Sequence, residues 1–245
     1  MKHNRTLVVI PTYNEKENIG NIVNAIKGIC STCDILIVDD NSPDGTGNIV
    51  KDILKEHKGV YLIERKGKLG LGTAYVEGFK YGIKNRYDFV FEMDADFSHN
   101  PEDIPRLLKS IENADLVIGS RYKEGIRIVN WSISRLLLSY FANVYARLIT
   151  GVPVMDLTAG FKCFRREVIE SLQLDSICSD GYAFQIEVNF KVFKRGFRIK
   201  EIPVIFADRT VGVSKMSRHI IWEAFFLVLR LRLQNIFGIK RYEKK

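Results

Sequence analysis

Two carboxylates stand two residues apart at Asp94-Ala95-Asp96, directly after the hydrophobic run 89–93. From a turning backbone such a pair can reach one hard cation. Mg2+ and Mn2+ take oxygen ligands and share them between one or two carboxylates and substrate phosphates. A cation there neutralises charge developing on a leaving diphosphate. Two further polar clusters, Tyr13-Asn14-Glu15 and Asp39-Asp40, also follow hydrophobic runs. Asp and Asn are common turn and N-cap residues, so each cluster alone reads as a turn. Three at equivalent positions read as a site. No obvious histidine base accompanies them. His99 is read as a solvated loop residue with at most a supporting role. The stretch 209–215, Arg-Thr-Val-Gly-Val-Ser-Lys, reads by itself as a basic surface turn.

The elements around these clusters explain why they would meet. Strand-like runs at 6–10, 35–38, 60–64 and 89–93 alternate with helical patterns at 17–29, 46–57 and 72–84. That alternation predicts a parallel sheet covered on both faces. Ligands of such sheets bind beyond the carboxyl ends of the strands, where all three clusters stand. The second half is less regular: a strand at 116–120, helices at 133–149 and 184–194, a strand at 198–204, a loop at 208–215 and an apolar tail at 219–237. Gly70-Leu71-Gly72 follows a strand and opens a helix, as in a dinucleotide fingerprint, but Tyr75 occupies the third glycine position and the fingerprint fails.

The 245 residues are 46% hydrophobic, enough for one large α/β domain or two small ones, and 27% charged, which excludes wholesale disorder. The net charge of +8 fits nucleic acid, anionic lipid or a phosphorylated substrate, and equally a merely basic soluble protein. Carboxylates at the strand ends repel phosphate unless a cation intervenes, so no nucleic-acid partner is expected. The apolar run 7–10 is too short for a signal peptide. No stretch reaches the ~20 uncharged apolar residues of a membrane span. The best, 220–229, contains Glu223 and precedes Arg230 and Arg232. Cys30 and Cys33 lie after a helix and before a strand, the wrong order for a thioredoxin-like site, and no second pair or nearby histidine completes a zinc site. With Cys163 and Cys178 they read as buried or idle thiols of a reducing compartment.

Val9-Ile10-Pro11-Thr12-Tyr13-Asn14-Glu15, Val38-Asp39-Asp40-Asn41-Ser42-Pro43-Asp44-Gly45, Met93-Asp94-Ala95-Asp96 and Gly119-Ser120-Arg121-Tyr122 together resemble glycosyltransferase family 2. Within it they resemble the polyprenyl (dolichyl) phosphate mannosyltransferases, over residues 5–216. The resemblance implies a GT-A fold, an α/β architecture with a mostly parallel Rossmann-like sheet flanked by helices. It implies a catalytic domain at 1–216 and an amphipathic C-terminal helix within 217–245. It also implies GDP-mannose as donor, a polyprenyl (dolichyl) phosphate as acceptor, and an inverting single displacement. Carried over by position, Pro11, Tyr13, Glu15, Val38 and Asp40 line the nucleoside pocket, with Asp94, Ala95, Asp96, Arg209 and Lys215 completing the donor site. Asp94 and Asp96, helped by Ser98, hold Mg2+ or Mn2+; some relatives have Gln where Ser98 stands. Arg121, Arg135 and Arg209 contact phosphates, and Ser139 lies near the acceptor phosphate. Arginine suits that task because its planar fork donates bidentate, charge-assisted hydrogen bonds. Asp94, Asp96, Arg121 and Arg209 form the implied catalytic set. For Asp156 two readings stay open, shaping the acceptor side or capping a helix, and Asp180 is a weaker candidate. A phosphate monoester is ionised near neutrality, its second pKa being about 6, so the acceptor serves as its own nucleophile.

A polyprenyl phosphate lives in a bilayer. Some relatives add membrane spans; the expectation here is a short form without them, peripheral to the cytoplasmic face of a membrane. A membrane-anchoring subunit is a further partner the resemblance allows. The tail, with Phe225, Phe226, Leu229 and Leu233 among flanking arginines, is either an interfacial helix or a core helix packed on the catalytic domain. The helix at 133–149 is a candidate second docking surface. The motifs separate donors poorly, so transfer of glucose or another sugar to the same lipid stays as the alternative.

Overall fold

The computed structural model describes residues 4–177, 179–208 and 218–236, with side chains of the last stretch described for 224–233. The chain runs β1 (Thr6–Thr12), α1 (Ile19–Ile29), β2 (Asp34–Asp39), α2 (Thr46–Glu56), β3 (Val60–Glu64), α3 (Leu71–Lys84), β4 (Phe89–Glu92), α4 (Ile104–Ile111) and β5 (Leu116–Ser120). It continues through β6 (Ile128–Val129), α5 (Ile133–Thr150), β7 (Lys162–Arg165), α6 (Arg166–Ser171), α7 (Gly181–Lys194), β8 (Ile199–Pro203), β9 (Phe206–Ala207) and α8 (Arg218–Ile236).

Seven strands form one sheet in the order β3-β2-β1-β4-β7-β5-β8. All neighbours are parallel except β7, which runs antiparallel to both β4 and β5. A two-residue ribbon, β6 with β9, stands apart. The strand period of two divides the core. Leu7, Val9, Leu36, Val38, Val90, Leu116 and Ile118 face α3 and α7, meeting Phe79, Phe184 and Val188. Val8, Ile10, Ile35, Ile37, Phe91 and Val117 face the opposite layer, meeting Ile22 and Ile26 of α1 and Leu107 of α4. Both faces are therefore covered, as the near-continuous apolar strands predict.

Several features depart from the sequence reading, which contained none of α4, α6, β6 and β9. β7 was not foreseen; it is short, and its alternate residues Lys162 and Phe164 are both buried, so no polar face marks it. Cys30 and Cys33 are not idle thiols but a disulfide: the turn after α1, closed by Cys33 N–H donating to Cys30 O at 3.0 Å, brings their Cα atoms to 5.3 Å, within bridging range. Cys163 is a free, buried thiol, and Cys178 lies outside the described residues. Of the two readings of the tail helix, packing on the core is the one its contacts bear out. α8 buries Val228 and Leu231 in the core shared with α7 and leaves Phe226 (62%) and Leu233 (54%) exposed. No helix among the described residues is long and apolar enough to cross a membrane.

Candidate active site

The carboxyl ends of β1, β2, β4 and β5 open on one cleft of about 480 Å³. Pro11, Tyr13, Glu15, Asp40, Asp94, Ala95, Asp96, Ser98, Arg121 and Arg135 all line it, so residues up to 124 positions apart in sequence are brought together by the parallel sheet. Val38 does not reach the cleft; it is fully buried on the inner face of β2. Ser139 is also absent from the lining: one turn beyond Arg135 on α5, its Oγ accepts from the Tyr122 hydroxyl at 2.7 Å. Arg209 and Lys215 lie outside the described residues.

At the β1–β2 end, hydrogen bonds tie the two strand-end loops into one unit. Asp39 accepts from the Thr12 hydroxyl at 2.8 Å and from Ser42 N–H at 2.9 Å. Asn14 N–H donates to Ser42 Oγ and Glu15 N–H to Thr46 Oγ1, each at 3.0 Å. Asp40 is buried and pairs with buried Arg65 at 2.6 Å, while its second oxygen accepts from Leu69 and Gly70 N–H. Asp40 thus holds the 65–70 loop at the cleft edge. Sequence reasoning missed Arg65 and Lys68. Arg65 carried the available signal, a polar residue directly after a strand. Lys68 sits 4.3 Å over the Tyr13 ring, a cation–π contact at the cleft wall.

In the centre, β4 ends in a tight turn. Asp94 Oδ1 accepts from the Tyr75 hydroxyl at 3.2 Å. Burial, then the nearby Asp94 carboxylate, push the Tyr75 hydroxyl far above its ordinary pKa, so it remains a donor. Asp96 Oδ1 accepts from Ser98 N–H at 3.1 Å across Phe97, which is held at φ +58°. A bulky side chain in the left-handed region is a costly conformation, about 1–2 kcal/mol, that the surrounding turn enforces. His99 is not solvated. It is buried, stacks on Phe161 at 5.2 Å, and its Nδ1 accepts from Asp94 N–H at 3.1 Å. The imidazole therefore braces the Asp94 turn. Ser98 Oγ is buried with no hydrogen-bond partner. A buried hydroxyl without a partner is uncommon and points to something absent that completes it. Beside Asp94, whose side chain is 36% exposed, that donor set of two carboxylates and a hydroxyl is all oxygen and suits a hard divalent cation. Among the described residues no three His, Cys, Asp or Glu side chains form a ready metal cage.

The β5 end is basic. Arg121 is buried and forked onto Asp156, Nε to Oδ2 at 2.7 Å and Nη2 to Oδ1 at 2.6 Å, with Nη2 also donating to Thr158 Oγ1. Burial lowers its pKa, but the Asp156 charge and hydrogen bonds outweigh that and raise it. The open question about Asp156 is thereby answered: it caps no helix and anchors Arg121 at the cleft wall. Arg135 Nη1 donates to Asp208 at 2.8 Å, and its guanidinium lies 4.0 Å over Trp131. The cleft therefore runs from a hydrogen-bonded acidic end, through an oxygen-ligand centre, to two oriented guanidinium groups.

A mostly parallel α/β sheet with one antiparallel strand and such a cleft at its strand ends has the architecture of a GT-A fold. The profile of glycosyl transferase family 2 matches residues 7–173. The polyprenol monophosphomannose synthase of Mycolicibacterium smegmatis is 45% identical over 97% of this chain and 92% of its own length. The undecaprenyl-phosphate mannosyltransferase of Micrococcus luteus is 42% identical over 92% of this chain and 93% of its own. The chain belongs to glycosyltransferase family 2 and is a glycosyltransferase. Among solved structures, glucosyl-3-phosphoglycerate synthase from Mycobacterium tuberculosis, in complex with Mn2+ and UDP-glucose, shares the fold: TM-score 0.68 at 19% identity, covering 98% of this chain and 81% of that one.

Proposed function

We propose that this chain transfers mannose from GDP-mannose to a polyprenyl phosphate, with inversion, giving polyprenyl phosphate mannose. The observation that carries the reading is the polarity of the cleft at the strand ends. Asp94, Asp96 and Ser98 line its centre and Arg121 and Arg135 its far end, residue types that would suit a metal–diphosphate and a second phosphate. The two relatives at 42–45% identity, whose names specify polyprenyl or undecaprenyl phosphate and mannose, support the acceptor and the sugar.

In this reading Asp94 and Asp96, with Ser98 Oγ, hold Mg2+ or Mn2+, which when bound offsets the charge of the departing diphosphate. Tyr13, Glu15 and Asp40 bind the nucleoside. Arg121 and Arg135 hold the acceptor phosphate in line with the anomeric carbon. A phosphate oxygen bonds to that carbon as the carbon–oxygen bond to GDP breaks, the electron pair leaving with GDP. No general base is required, because the attacking phosphate is already ionised. Rate then comes from alignment and charge stabilisation. The acceptor's lipid is met by a peripheral bilayer contact through α5 and α8, whose outer faces expose Ile133, Phe141, Leu148 and Phe226.

Transfer of radiolabelled sugar to polyprenyl phosphate, from GDP-mannose and UDP-glucose in parallel, tests the reading. GDP-mannose is expected to be used and excess chelator to stop the reaction. Transfer only from UDP-glucose, or full activity in chelator, would sink it.

A further inference from the structure

Beneath the cleft centre lies a group of polar side chains that the steps above do not use. Glu92 of β4 and Lys162 of β7 are both fully buried and face each other in register, Nζ to Oε2 at 3.7 Å. Lys162 Nζ also donates to Gln185 Oε1 on α7. Neither Glu92 oxygen has a hydrogen bond of ordinary length, and its charge is offset by Lys162 and by the Gln185 side chain together. Burying two ions costs several kcal/mol each before their attraction is counted, and a hydrophobic pair of similar volume is often as stable. Core packing does not explain this placement; what the lysine holds does.

Gln185 is 3% exposed yet lines the cleft. Lysine only donates, so the amide atom facing Lys162 must be the carbonyl oxygen. The orientation of the carboxamide is thereby fixed, with one N–H on the side of the Glu92 carboxylate and the other left for the cleft that Gln185 lines. Gly160 marks where that NH2 lies. A Cβ on Gly160 would stand 3.7 Å from Gln185 Nε2, 3.7 Å from Asp94 Oδ2 and 3.4 Å from His99 Cε1. The amide nitrogen and the cation-site carboxylate thus flank one small space, kept open by a residue without a side chain. Because β7 is antiparallel, its first residue brings Lys162 to this end of the sheet.

The sheet order assigns that space to one part of a ligand. A nucleotide-sugar with its nucleoside at β1 and β2 and its diphosphate at β4 continues towards β7 and β5. The group following the diphosphate is the sugar, and Arg121, directly after β5, stands beyond it. We propose that Gln185 is a sugar-binding and specificity residue, its outward amide N–H donating to a hydroxyl oxygen of the donor hexose, and that Lys162 and Glu92, which hold the carbonyl oxygen and the inner N–H, are the positioning residues that present it. This rests on the reading of the cleft as a GDP-mannose site.

The test is calorimetric binding of GDP and of GDP-mannose, each with Mn2+, to the full chain and its variants. Gln185→Leu removes the donor. Gln185→Glu keeps the shape and the Lys162 partner but replaces the N–H pair by oxygen. Both are expected to weaken GDP-mannose roughly tenfold, the scale of one or two lost hydrogen bonds, while GDP changes less than about twofold. The double variant Glu92→Gln/Lys162→Met, which removes both buried charges together, is expected to show the same selective loss. Equal weakening of both ligands, or unchanged GDP-mannose binding in Gln185→Glu, overturns the sugar contact. Unchanged selectivity in the folded double variant overturns the positioning role of Lys162 and Glu92. A wild-type chain that does not bind GDP-mannose overturns this proposal together with the reading beneath it, and only that outcome touches both.

Discussion

At the residue scale, the acidic turn and the Arg121 anchor carry different duties, and variants should separate them. Asp96 is largely buried and its backbone turn is held by neighbours, including Ser98 N–H and His99. Asp96→Ala is expected to abolish metal-dependent transfer while far-UV circular dichroism and the unfolding midpoint stay near wild type. Full transfer by that variant would remove the carboxylate from the mechanism. Asp156 is different, since it is the counter-charge of a buried arginine. Asp156→Asn leaves that cation uncompensated and is expected to cost about 3–5 kcal/mol of stability in denaturant unfolding. A loss under about 1 kcal/mol would mean that Arg121 relaxes into the cleft and the fork is dispensable. The Asp94-Ala95-Asp96 pair was legible in the sequence because ligand chemistry restricts residue type. The bracing role of His99 was not, because the aromatic partner that buries it, Phe161, lies 62 positions away.

At the element scale, α3 is pressed onto the sheet by its glycines. A Cβ on Gly78 would lie 2.3 Å from Val9 Cγ1, and one on Gly82 2.8 Å from Val90 Cγ2. Gly78→Ala gains helix propensity but overpacks the interface. A net loss of about 1–3 kcal/mol is expected in chemical denaturation, and a stabilised variant would show that α3 can shift outward freely. The Cys30–Cys33 bridge closes a very short loop, so the loop-entropy argument gives it no more than about 2 kcal/mol. The Cys30→Ser/Cys33→Ser variant is expected to fold and to lose at most that much, measured by the shift of its unfolding midpoint against the oxidised wild type. The alternation of strands and helices in the first half was readable because β1, β2 and β4 are buried on both faces and the helices each show one apolar stripe. β7 escaped because its sequence, Lys-Cys-Phe-Arg, mixes two charges into a buried antiparallel strand. Lys162 is tolerated there only through Glu92 and Gln185, neither of which is a sequence neighbour.

At the scale of the whole molecule, α5 and α8 pack side by side through the stacked Tyr145–Phe225 pair and present apolar side chains outward. Arg147, Arg230 and Arg232 are exposed on the same two helices. An apolar surface with basic residues beside it is the chemistry of an anionic bilayer interface. Arg135, on the first turn of α5, lines the cleft, so a lipid phosphate held there would keep its chain close to this face. Phe141→Ser/Phe226→Ser is expected to reduce co-sedimentation with vesicles containing anionic phospholipid several-fold while transfer to a short, water-soluble polyprenyl phosphate continues. Unchanged sedimentation would rule the two helices out as the contact. Deleting α8 is a poorer test, because Val228 and Leu231 belong to the core.

Residue type and local spacing sufficed for the carboxylate pair, the strand–helix alternation and the family to which the chain belongs, since each is recorded within a few consecutive residues. Tertiary structure alone decided that Asp156 anchors Arg121, that His99 is buried, that Val38 and Ser139 stand outside the cleft lining, and that Lys162 reaches Gln185 beneath Asp94. Each of those outcomes depends on which strands become neighbours and in which direction they run. That choice is made by burial summed over the whole sheet, and no short stretch of sequence contains it.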